Sequence, residues 1–504
     1  MASLIGDLIF WLSIVLSSTY LLNLITRKTR NLPPGPVGLP VVGSLLQLSG
    51  MPHEAFARLS KQYGPLMTVW LGSRATVVVS SAEMAEEVLH RQNQVFSGRI
   101  VADVATALEY DLHSFGFSQV GPRWQALRRI SNSELFTPRR LDALKELREE
   151  KVRVLLQHVG EACADGRAID ISEYAFGTTL NLVSSTLFSQ DLVDLDSESA
   201  GEFKSFMCEM LEINSRPNLC DYFPVLRWID PQGLRRRNRR ILTRVYALFD
   251  ELIDKHVRAY EDAAAKGEPK KNEDFVDVLL QLTRDPNTGF TKENIRPMLL
   301  DLFIAGSETS ATTLEWAMTE LLRHPDKMAA ARSEIKQTVG KGNFVKESDI
   351  LHLPYLEAVM KETLRMHSPA PLLVPRRADS ATKLAGYTIP QHTQVLVNAW
   401  LISNDPTLWD EPTSFLPERF LKSDVNFKGK HFQFIPFGAG KRICPGVPLA
   451  SRMVLLVLAS LINSFSWVLP NKMAPQDLDM KVKFRLVQQR ANPLKAIPVP
   501  LTDM

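Results

Sequence analysis

One cysteine, Cys444, stands in a ten-residue segment that reads Phe-Gly-Ala-Gly-Lys-Arg-Ile-Cys-Pro-Gly from residue 437 to residue 446. Arg442 lies two residues before it, Phe437 lies seven before it, and apolar, helix-forming sequence follows from Val447 to Leu461. A thiolate in a tight glycine-rich loop, beside a helix start and a cation, suits one iron atom in a flat, anionic macrocycle. Zinc is disfavoured because it takes four ligands, usually from paired Cys or His residues. The alternative is a structural cysteine buried in a turn.

The pattern Phe-x-x-Gly-x-Arg-x-Cys-x-Gly resembles the haem-binding signature of the cytochrome P-450 haem-thiolate monooxygenases, and each fixed position is present. The resemblance implies that the cofactor is haem b, iron protoporphyrin IX, and that Cys444 is the axial ligand of the haem iron. Such a thiolate pushes electron density onto the iron and favours cleavage of the O–O bond. The resemblance also implies that Phe437 packs near the thiolate and shields it from water.

Haem carries two propionates, which need cations or strong hydrogen-bond donors. Trp124 and Arg128 are four residues apart, so an indole N–H and a guanidinium group share one helix face. Arg376 follows Pro375 in a strand-like segment. By the resemblance, these three side chains and Arg442 bind the propionates. Alone, a Trp-x-x-x-Arg pair is more often an ordinary half-buried pair.

A long helix is predicted from Met298 to His324, and Pro297 predicts an early turn or a kink beside its start. Its middle reads Ala-Gly-Ser-Glu-Thr-Ser, which places a glycine and a carboxylate in an apolar helix, and such conflicts mark functional sites. Gly306 would let the backbone approach a flat cofactor, and Glu308 with Thr309 would relay protons through water. The segment resembles the family's oxygen-activation pattern, in which glutamate is the less common acid. The alternative is a solvent-facing Glu-Thr pair.

Glu362 and Arg365 lie three residues apart on a helix predicted between the prolines at 354 and 369, so they can form an ion pair. A second arginine, Arg419, follows in the segment Pro-Glu-Arg-Phe. By the resemblance, the three side chains form a triad that locks the loop beneath the haem. A Glu-x-x-Arg pair alone is common on exposed helices.

The remaining patterns predict a mainly α fold with a small β portion, which is also the fold that the resemblance implies. Residues 66–71 and 75–79 are β-prone runs separated by a Gly-Ser pair, a signal for a hairpin. Residues 81–89 are predicted to form a helix with a serine N-cap. Helical patterns prevail from about residue 120 to 370, and short strands and prolines follow.

The N-terminus is predicted to anchor the chain in a membrane. Residues 8–25 carry no charge, and their length is close to the about 17–25 residues that cross a bilayer. Basic residues follow this stretch, which predicts a cytosolic catalytic domain; a cleaved signal peptide is the competing interpretation. We therefore expect an anchor at 1–26, a basic and proline-rich hinge at 27–40 and a catalytic domain at 41–504. Together these features predict a single-pass protein of the endoplasmic reticulum membrane.

Composition excludes some classes of partner. Lys and Arg total 59 against 56 Asp and Glu, so the chain lacks the excess of positive charge that is typical of nucleic-acid-binding proteins. The four cysteines show no paired spacing, which favours a reducing compartment. The apolar residues 222–229 and the basic residues 234–240 are expected either to touch an anionic lipid surface or to form a core loop beside a solvated helix.

The resemblance implies an electron donor, NADPH-cytochrome reductase, so NADPH acts only through that partner. A cytochrome b-type protein is a second candidate donor, and O2 and a small apolar substrate complete the reaction. We expect the reductase to dock by charge complementarity on a basic patch formed by Arg129, Lys441 and Arg452. The alternative is an ordinary mixed surface.

Residues 314–318 and 372–377 resemble the plant geraniol 8-hydroxylase and ferruginol synthase group, which implies mono- or diterpene substrates. The pocket is expected to be lined by residues 101–117, 302–308, 371–374 and 484–487, with Arg485 where the family often has glycine. A flavonoid or an alkaloid substrate is the alternative for the same chemistry. Two other classes are a reductase-independent haem-thiolate isomerase or dehydratase and a haem-binding protein without catalysis.

Overall fold

The computed structural model describes residues 31–192, 202–265, 274–340, 342–484 and 487–501. The predicted membrane anchor at 1–26, the first residues of the hinge and Arg485 lie outside the described residues. The described part is mainly helical. Its α-helices are α1 Pro52–Tyr63, α2 Ala82–Glu86, α3 Tyr110–His113, α4 Pro122–Ile130, α5 Pro138–Ala143, α6 Lys145–Ala164, α7 Ile171–Phe188, α8 Glu202–Ser215, α9 Leu219–Tyr222, α10 Leu234–Ala265, α11 Phe275–Leu282, α12 Lys292–Arg323, α13 Pro325–Val339, α14 Pro354–Met366, α15 Ala399–Ser403 and α16 Val447–Ser464.

The β portion is small, as the sequence predicts. Its strands are β1 Leu66–Leu71, β2 Arg74–Val79, β3 Gly98–Arg99, β4 Ile169–Asp170, β5 Arg376–Arg377, β6 Thr382–Leu384, β7 Tyr387–Ile389, β8 Gln394–Val397, β9 Phe465–Val468, β10 Val482–Phe484, β11 Gln488–Arg490 and β12 Lys495–Pro500. One sheet has the order β1-β2-β8-β5-β3 and another the order β4-β12-β9, and β6–β7 and β10–β11 form two hairpins. The predicted hairpin of residues 66–79 is confirmed as the antiparallel pair β1–β2.

Helix α12 runs through the middle of the molecule and positions the functional residues. Its N-cap is Thr291, which forms a capping box with Asn294. The helix packs against α7 over most of its length and also against α14 and α16. Because it is surrounded in this way, nearly all of its side chains from residue 310 to 322 are buried.

The start of α12 corrects one prediction. The helix was expected from Met298, but it begins at Lys292 and includes Pro297. A proline inside a helix loses the N–H bond to the carbonyl four residues earlier, and its ring crowds that carbonyl. The capping box before it and the burial of Pro297 offset this cost near the start of a long helix. The predicted bounds of α14 agree with the structure, and α16 begins at Val447 as predicted but continues three residues past Leu461, to Ser464.

Within the described residues, one helix is long and apolar enough to cross a membrane, namely α16, Val447–Ser464. The helix belongs to the largest apolar cluster, where it packs beside α12, α13 and α14. It therefore acts as a core helix that follows the cysteine loop.

Candidate active site

The loop that carries Cys444 is held by its own backbone. The amide of Cys444 donates to the carbonyl of Phe437 at 3.0 Å. Gly438 and Gly440 have φ of 71° and 69°, and a Cβ at Gly440 would lie 1.9 Å from the carbonyl oxygen of Leu89. Glycine is therefore required at residue 440, by its left-handed conformation and by the approach of the π-helical turn that contains Leu89. Phe437 packs edge to face on Phe427, and its shielding of the thiolate stays a prediction.

The Cys444 thiol lies just before the N-terminus of α16, which begins at Val447. Burial raises the pKa of this thiol, while the backbone N–H groups of Gly446 and Val447 and the guanidinium group of Arg128 favour the thiolate. The positive end of the helix dipole acts in the same direction. A bound metal deprotonates such a thiol outright, so the site is suited to a thiolate ligand.

Three guanidinium groups, from Arg99, Arg376 and Arg442, lie together beside this loop. Strand pairing joins the first two, because Arg99 on β3 is the register partner of Arg376 on β5. Backbone carbonyls hold the side chains: Arg376 Nη2 donates to Ala439 O at 3.1 Å, and Arg442 Nε donates to Ser97 O at 3.0 Å. Arg99 was missed by the sequence analysis, since only this long-range pairing brings it to the site.

These three groups carry more positive charge than their surroundings compensate. Burial lowers the pKa of Arg376 to about 10 and that of Arg442 to about 9, and it lowers the pKa of Arg99 well below its usual value. Repulsion from Arg376 further lowers the pKa of both Arg99 and Arg442. Among the described residues, no carboxylate forms a salt bridge with any of the three. An anionic group with two carboxylates fits this cluster.

Trp124 and Arg128, both on α4, complete the predicted set. The Arg442 guanidinium carbon lies 4.4 Å from the centroid of a Trp124 ring, and Arg128 Nη1 donates to Ile443 O at 2.7 Å. The buried Nε1 of Trp124 and Nη1 of Arg442 have no hydrogen-bond acceptor within the described part of the chain. Two buried donors beside a positive cluster and a cysteine fit the two propionates of haem.

Glu308 and Thr309 are adjacent in sequence but point in different directions from α12. The Thr309 hydroxyl donates to Ala305 O at 2.6 Å. Ala305 is exposed and Thr309 is partly exposed, so this face of the helix is accessible. Glu308 is buried, and its Oε1 accepts a hydrogen bond from Gln489 Nε2 at 2.6 Å. The pair therefore connects two sides of the helix, and Gln489 is a contact that the sequence analysis did not find.

Gly306 lies at a close contact between helices. A Cβ at this position would lie 3.0 Å from Cγ2 of Val183 on α7. The close approach that the structure shows at Gly306 is therefore between α12 and α7, and its approach to the cofactor stays a prediction.

The predicted triad forms and is buried. Arg365 Nε and Nη2 donate to the two carboxylate oxygens of Glu362 at 2.8 Å, and Arg419 Nε donates to Glu362 Oε1 at 3.1 Å. Arg365 also donates to Ser403 O at 2.8 Å. The triad thus joins α14 to the segments that precede the cysteine loop.

Asp301 is a further residue that the sequence analysis missed. It lies one turn before Ala305 on α12, and its carboxylate accepts hydrogen bonds from the Tyr110 and Ser114 hydroxyls and from the Phe115 amide, the last at 2.6 Å. Desolvation raises the pKa of Asp301 to about 6, although these hydrogen bonds oppose the shift. The carboxylate ties residues 110–116 to α12, next to the predicted pocket.

Comparison with known proteins agrees with this geometry. The cytochrome P-450 family model matches residues 33–494. Geraniol 8-hydroxylase of Swertia mussotii is 46% identical over 480 residues, 95% of this chain and 96% of that protein. Ferruginol synthase of Isodon rubescens is 44% identical over 480 residues, 94% of this chain and 96% of that protein. The 7-ethoxycoumarin O-deethylase of Helianthus tuberosus is 43% identical over 496 residues, with 97% and 99% coverage.

The matched range includes the cluster of Arg99, Arg376 and Arg442, the helix α12 and the Cys444 loop. The named relatives are enzymes, among them hydroxylases, which favours a monooxygenase over a non-catalytic haem-binding protein and over a reductase-independent isomerase or dehydratase. The chain belongs to the cytochrome P-450 family, whose members hold haem iron through a cysteine thiolate, and it is a monooxygenase.

Proposed function

We propose that this monooxygenase hydroxylates a small apolar plant metabolite, a mono- or diterpene, with electrons that NADPH supplies through a cytochrome reductase. The observation that carries the substrate class is identity over nearly the whole chain to geraniol 8-hydroxylase and to ferruginol synthases. The apolar character of the predicted pocket supports it, since Val101, Phe115, Phe117 and Leu302 are partly buried against one apolar cluster. An apolar lining with few polar groups suits a terpene-sized ligand.

Each residue of the site has a distinct role in this proposal. Haem, when bound, supplies the iron at which dioxygen is activated. Cys444 would hold that iron through its thiolate, and Arg99, Arg376, Arg442, Trp124 and Arg128 would bind the two propionates. These groups come from four separate segments of the chain, so together they would hold the cofactor in one orientation.

Proton delivery is assigned to the two adjacent residues on α12. The Thr309 hydroxyl lies on the partly accessible face of the helix, where it can orient a water molecule toward the site of oxygen activation. Glu308 lies on the other side, buried and oriented by Gln489, where it can hold a proton for transfer through water.

The substrate class is tested with microsomes that contain the full chain and a plant reductase. Geraniol, an abietane diterpene, a flavanone, a benzylisoquinoline and 7-ethoxycoumarin are each incubated with NADPH, and products are identified by mass spectrometry. We expect NADPH-dependent gain of one oxygen from a terpene only. A product from the flavanone, the alkaloid or the coumarin alone would show that the substrate class is wrong. Cys444→Ala is expected to lose haem or its thiolate spectrum and all product.

We also propose that the chain sits on the endoplasmic reticulum membrane through the predicted anchor and a second, apolar contact. Val37, Leu39, Val41 and Leu46 are exposed in the segment that follows the anchor. Val225 and Trp228 are 74% and 80% exposed. Large exposed apolar groups in one patch indicate an interaction surface.

The two groups of apolar residues meet at the β1–β2 turn. On one side, the Gly72 amide donates to Val42 O at 3.2 Å, and on the other the Ser73 amide donates to Tyr222 O at 3.1 Å. The exposed arginines 236, 239 and 240 begin α10 next to this surface. An apolar patch with a basic border suits an anionic lipid surface, which supports the lipid interpretation of residues 222–240.

Vesicle flotation tests this contact in a chain whose residues 2–30 are deleted. Changing Val225 and Trp228 to serine is expected to reduce binding to anionic vesicles by roughly a hundredfold or more, since burial of each side chain contributes about 1.5–3 kcal/mol. The matched control changes Phe344 and Leu351, which are 64% and 82% exposed elsewhere, to serine. Equal loss in both double variants would contradict a specific lipid face.

The proposed reductase surface is smaller than the sequence predicts. Arg452 forms salt bridges with Asp142 at 2.6 Å and with Glu347 at 2.9 Å, so its charge is compensated. Arg129 and Lys441 remain exposed. We expect Lys441→Glu to slow reduction of the haem by the reductase at low salt and to leave the thiolate spectrum unchanged, whereas the same change at the distant Lys61 has no effect.

A further inference from the structure

A cavity of about 270 Å³, with a lining of both polar and apolar side chains, lies on the side of α12 that carries Glu308. Its walls are α12, the start of α7, one face of α8 and the β10–β11 hairpin. A cavity of this volume has room for several water molecules. A cavity of this size that is lined by charged and hydroxyl groups is suited to ordered water.

Three polar residues of α12 face this cavity in one line. Glu308, Thr312 and Glu315 lie at positions i, i+4 and i+7, which fall on one face of a helix. Thr312 is 3% exposed, and its hydroxyl has no hydrogen-bond partner among the residues that the structure describes. A buried hydroxyl without a partner costs about 1–3 kcal/mol, so water in the cavity is the natural partner of Thr312.

Glu315 is a buried carboxylic acid with one hydrogen-bond donor and one cation close to its carboxyl group. Its Oε1 accepts a hydrogen bond from the Leu494 amide at 2.9 Å, and Arg490 Nε lies 3.9 Å from the same oxygen. Desolvation raises the pKa of Glu315 to about 7, with Asp170 acting in the same direction and Arg490 and Lys483 acting against it. The carboxyl can therefore both hold and release a proton near neutral pH.

Gln489 contacts Glu308, the first of these three residues of α12. It is the register partner of Lys483 in the β10–β11 hairpin, so both side chains reach the cavity from one face of that hairpin. Its amide nitrogen donates to Glu308 Oε1, which fixes the orientation of that carboxylate. Solvent reaches the cavity where Glu173, an exposed residue of α7, forms part of its lining.

We propose that Glu315 is a second proton-holding acid of this monooxygenase, connected to Glu308 by the Thr312 hydroxyl and by water in the cavity. The inference rests on the proposed roles of Glu308 and Thr309. Hydroxylation of one C–H bond by O2 takes up two electrons, supplied by NADPH through the reductase, and two protons, and it releases one water. A proton leaves Glu315 for Glu308 as Glu308 gives up its own, and solvent at the cavity mouth restores the proton on Glu315.

Thr312→Val is the sharpest test, because a structural role and a relay role predict opposite results. Valine has nearly the same shape, and removal of an unpartnered buried hydroxyl leaves stability unchanged or improves it. If Thr312 only fills space, product formed per NADPH stays at the level of the unsubstituted enzyme. If it holds the water chain, this ratio falls and the solvent deuterium isotope effect on turnover rises, while Thr312→Ser restores both values.

Glu315→Gln tests the acid itself in the full-length holoenzyme. The glutamine keeps an acceptor for the Leu494 amide but holds no exchangeable acid proton, so product per NADPH is expected to fall by roughly tenfold, less than the 10²–10⁴-fold ascribed to a direct general acid. The neutral acid is present below pH 7, so coupled turnover of the unsubstituted enzyme falls as pH rises through about 7. This limb of the profile is absent in Glu315→Gln. Glu173→Gln removes a carboxylate at the cavity mouth and is expected to retain the fall in coupled turnover as pH rises.

An infrared titration of the resting protein gives a readout that needs neither substrate nor reductase. We expect a protonated carboxyl band that titrates near pH 7 and is missing from Glu315→Gln, while the band of Asp301, which titrates near pH 6, remains. Because this measurement does not involve turnover, an error in the substrate class leaves it intact. Normal coupling in Thr312→Val, an equal loss in Glu173→Gln and Glu315→Gln, or an unchanged carboxyl band in Glu315→Gln would each overturn the proposal.

Discussion

Replacement of Glu362 by glutamine tests how far the buried triad stabilises the fold. The Glu362 side chain is fully buried and accepts two hydrogen bonds from Arg365 at 2.8 Å, one from Arg419 at 3.1 Å and one from the Leu416 amide at 3.0 Å. Glutamine keeps the shape, but it removes the negative charge and turns an NH2 donor toward a guanidinium group. The Arg365 charge is then buried without a counter-ion.

The expected cost follows from this geometry. Breaking a buried ion pair by removal of one partner costs about 3–5 kcal/mol, mainly because the other charge is left uncompensated. Unfolding entropy of about 2.1 cal/mol/K per residue gives about 1 kcal/mol/K for a chain of 504 residues. We therefore expect Glu362→Gln to lower the apparent Tm by about 3–5 °C and to reduce the fraction of protein that retains haem.

The measurement is thermal unfolding by circular dichroism at a fixed scan rate, together with the carbon monoxide difference spectrum. The matched control is Glu357→Gln, which removes a pair with Lys361 on the same helix at 2.9 Å, where the glutamate side chain is 45% exposed. An exposed pair of this kind is worth about 0.3–0.5 kcal/mol, so its Tm should change by less than about 1 °C. Equal shifts in the two variants would refute the reasoning, because burial would then have no influence.

Thr309→Val should retain the thiolate spectrum and lower the product formed per NADPH. The control Thr313→Val also removes a hydroxyl bonded to a helix carbonyl and should change neither value. Equal product per NADPH in the two variants would contradict the proton relay. Burial alone would raise the pKa of Glu320, but hydrogen bonds to two histidines lower it to about 2, so its stabilising contribution is present above pH 4.5 and lost as pH falls toward 2. Glu320→Gln should flatten this acid limb of stability, measured by circular dichroism. Gly440→Ala should abolish haem incorporation, whereas Gly50→Ala, which also has positive φ but no atom within 4 Å, should cost only about 1–2 kcal/mol.

The residues that the sequence predicted well are those whose partners are close in the chain or whose motif is dense. The Cys444 loop is such a case, since its glycines, its arginine and its helix start fall within about ten residues. The hairpin β1–β2 and the pair Glu362–Arg365 likewise depend on local periodicity and turn signals. In each of these, short-range geometry determines the contact.

The residues that the sequence did not predict depend on pairing between distant segments. Arg99 reaches the guanidinium cluster only because β3 pairs with β5 across 277 residues of chain. Asp301 and Gln489 likewise contact segments 185 and 181 residues away. Gly306 shows a related limit, because the sequence indicates that small size is needed but the structure shows Val183 as the nearest neighbour that needs it. A sequence pattern does not show which residues of two distant segments pair with each other.

The cluster of Arg99, Arg376 and Arg442 has a consequence for how the protein matures in the cell. Three mutually repelling cations inside the fold favour opening of the chain unless an anion binds among them. Occupancy by haem then adds to the free energy of unfolding as RT ln(1 + [haem]/Kd), which is about 2.7 kcal/mol at one hundred times Kd. Haem supply should therefore set the lifetime and the steady-state amount of this protein as well as its catalytic capacity.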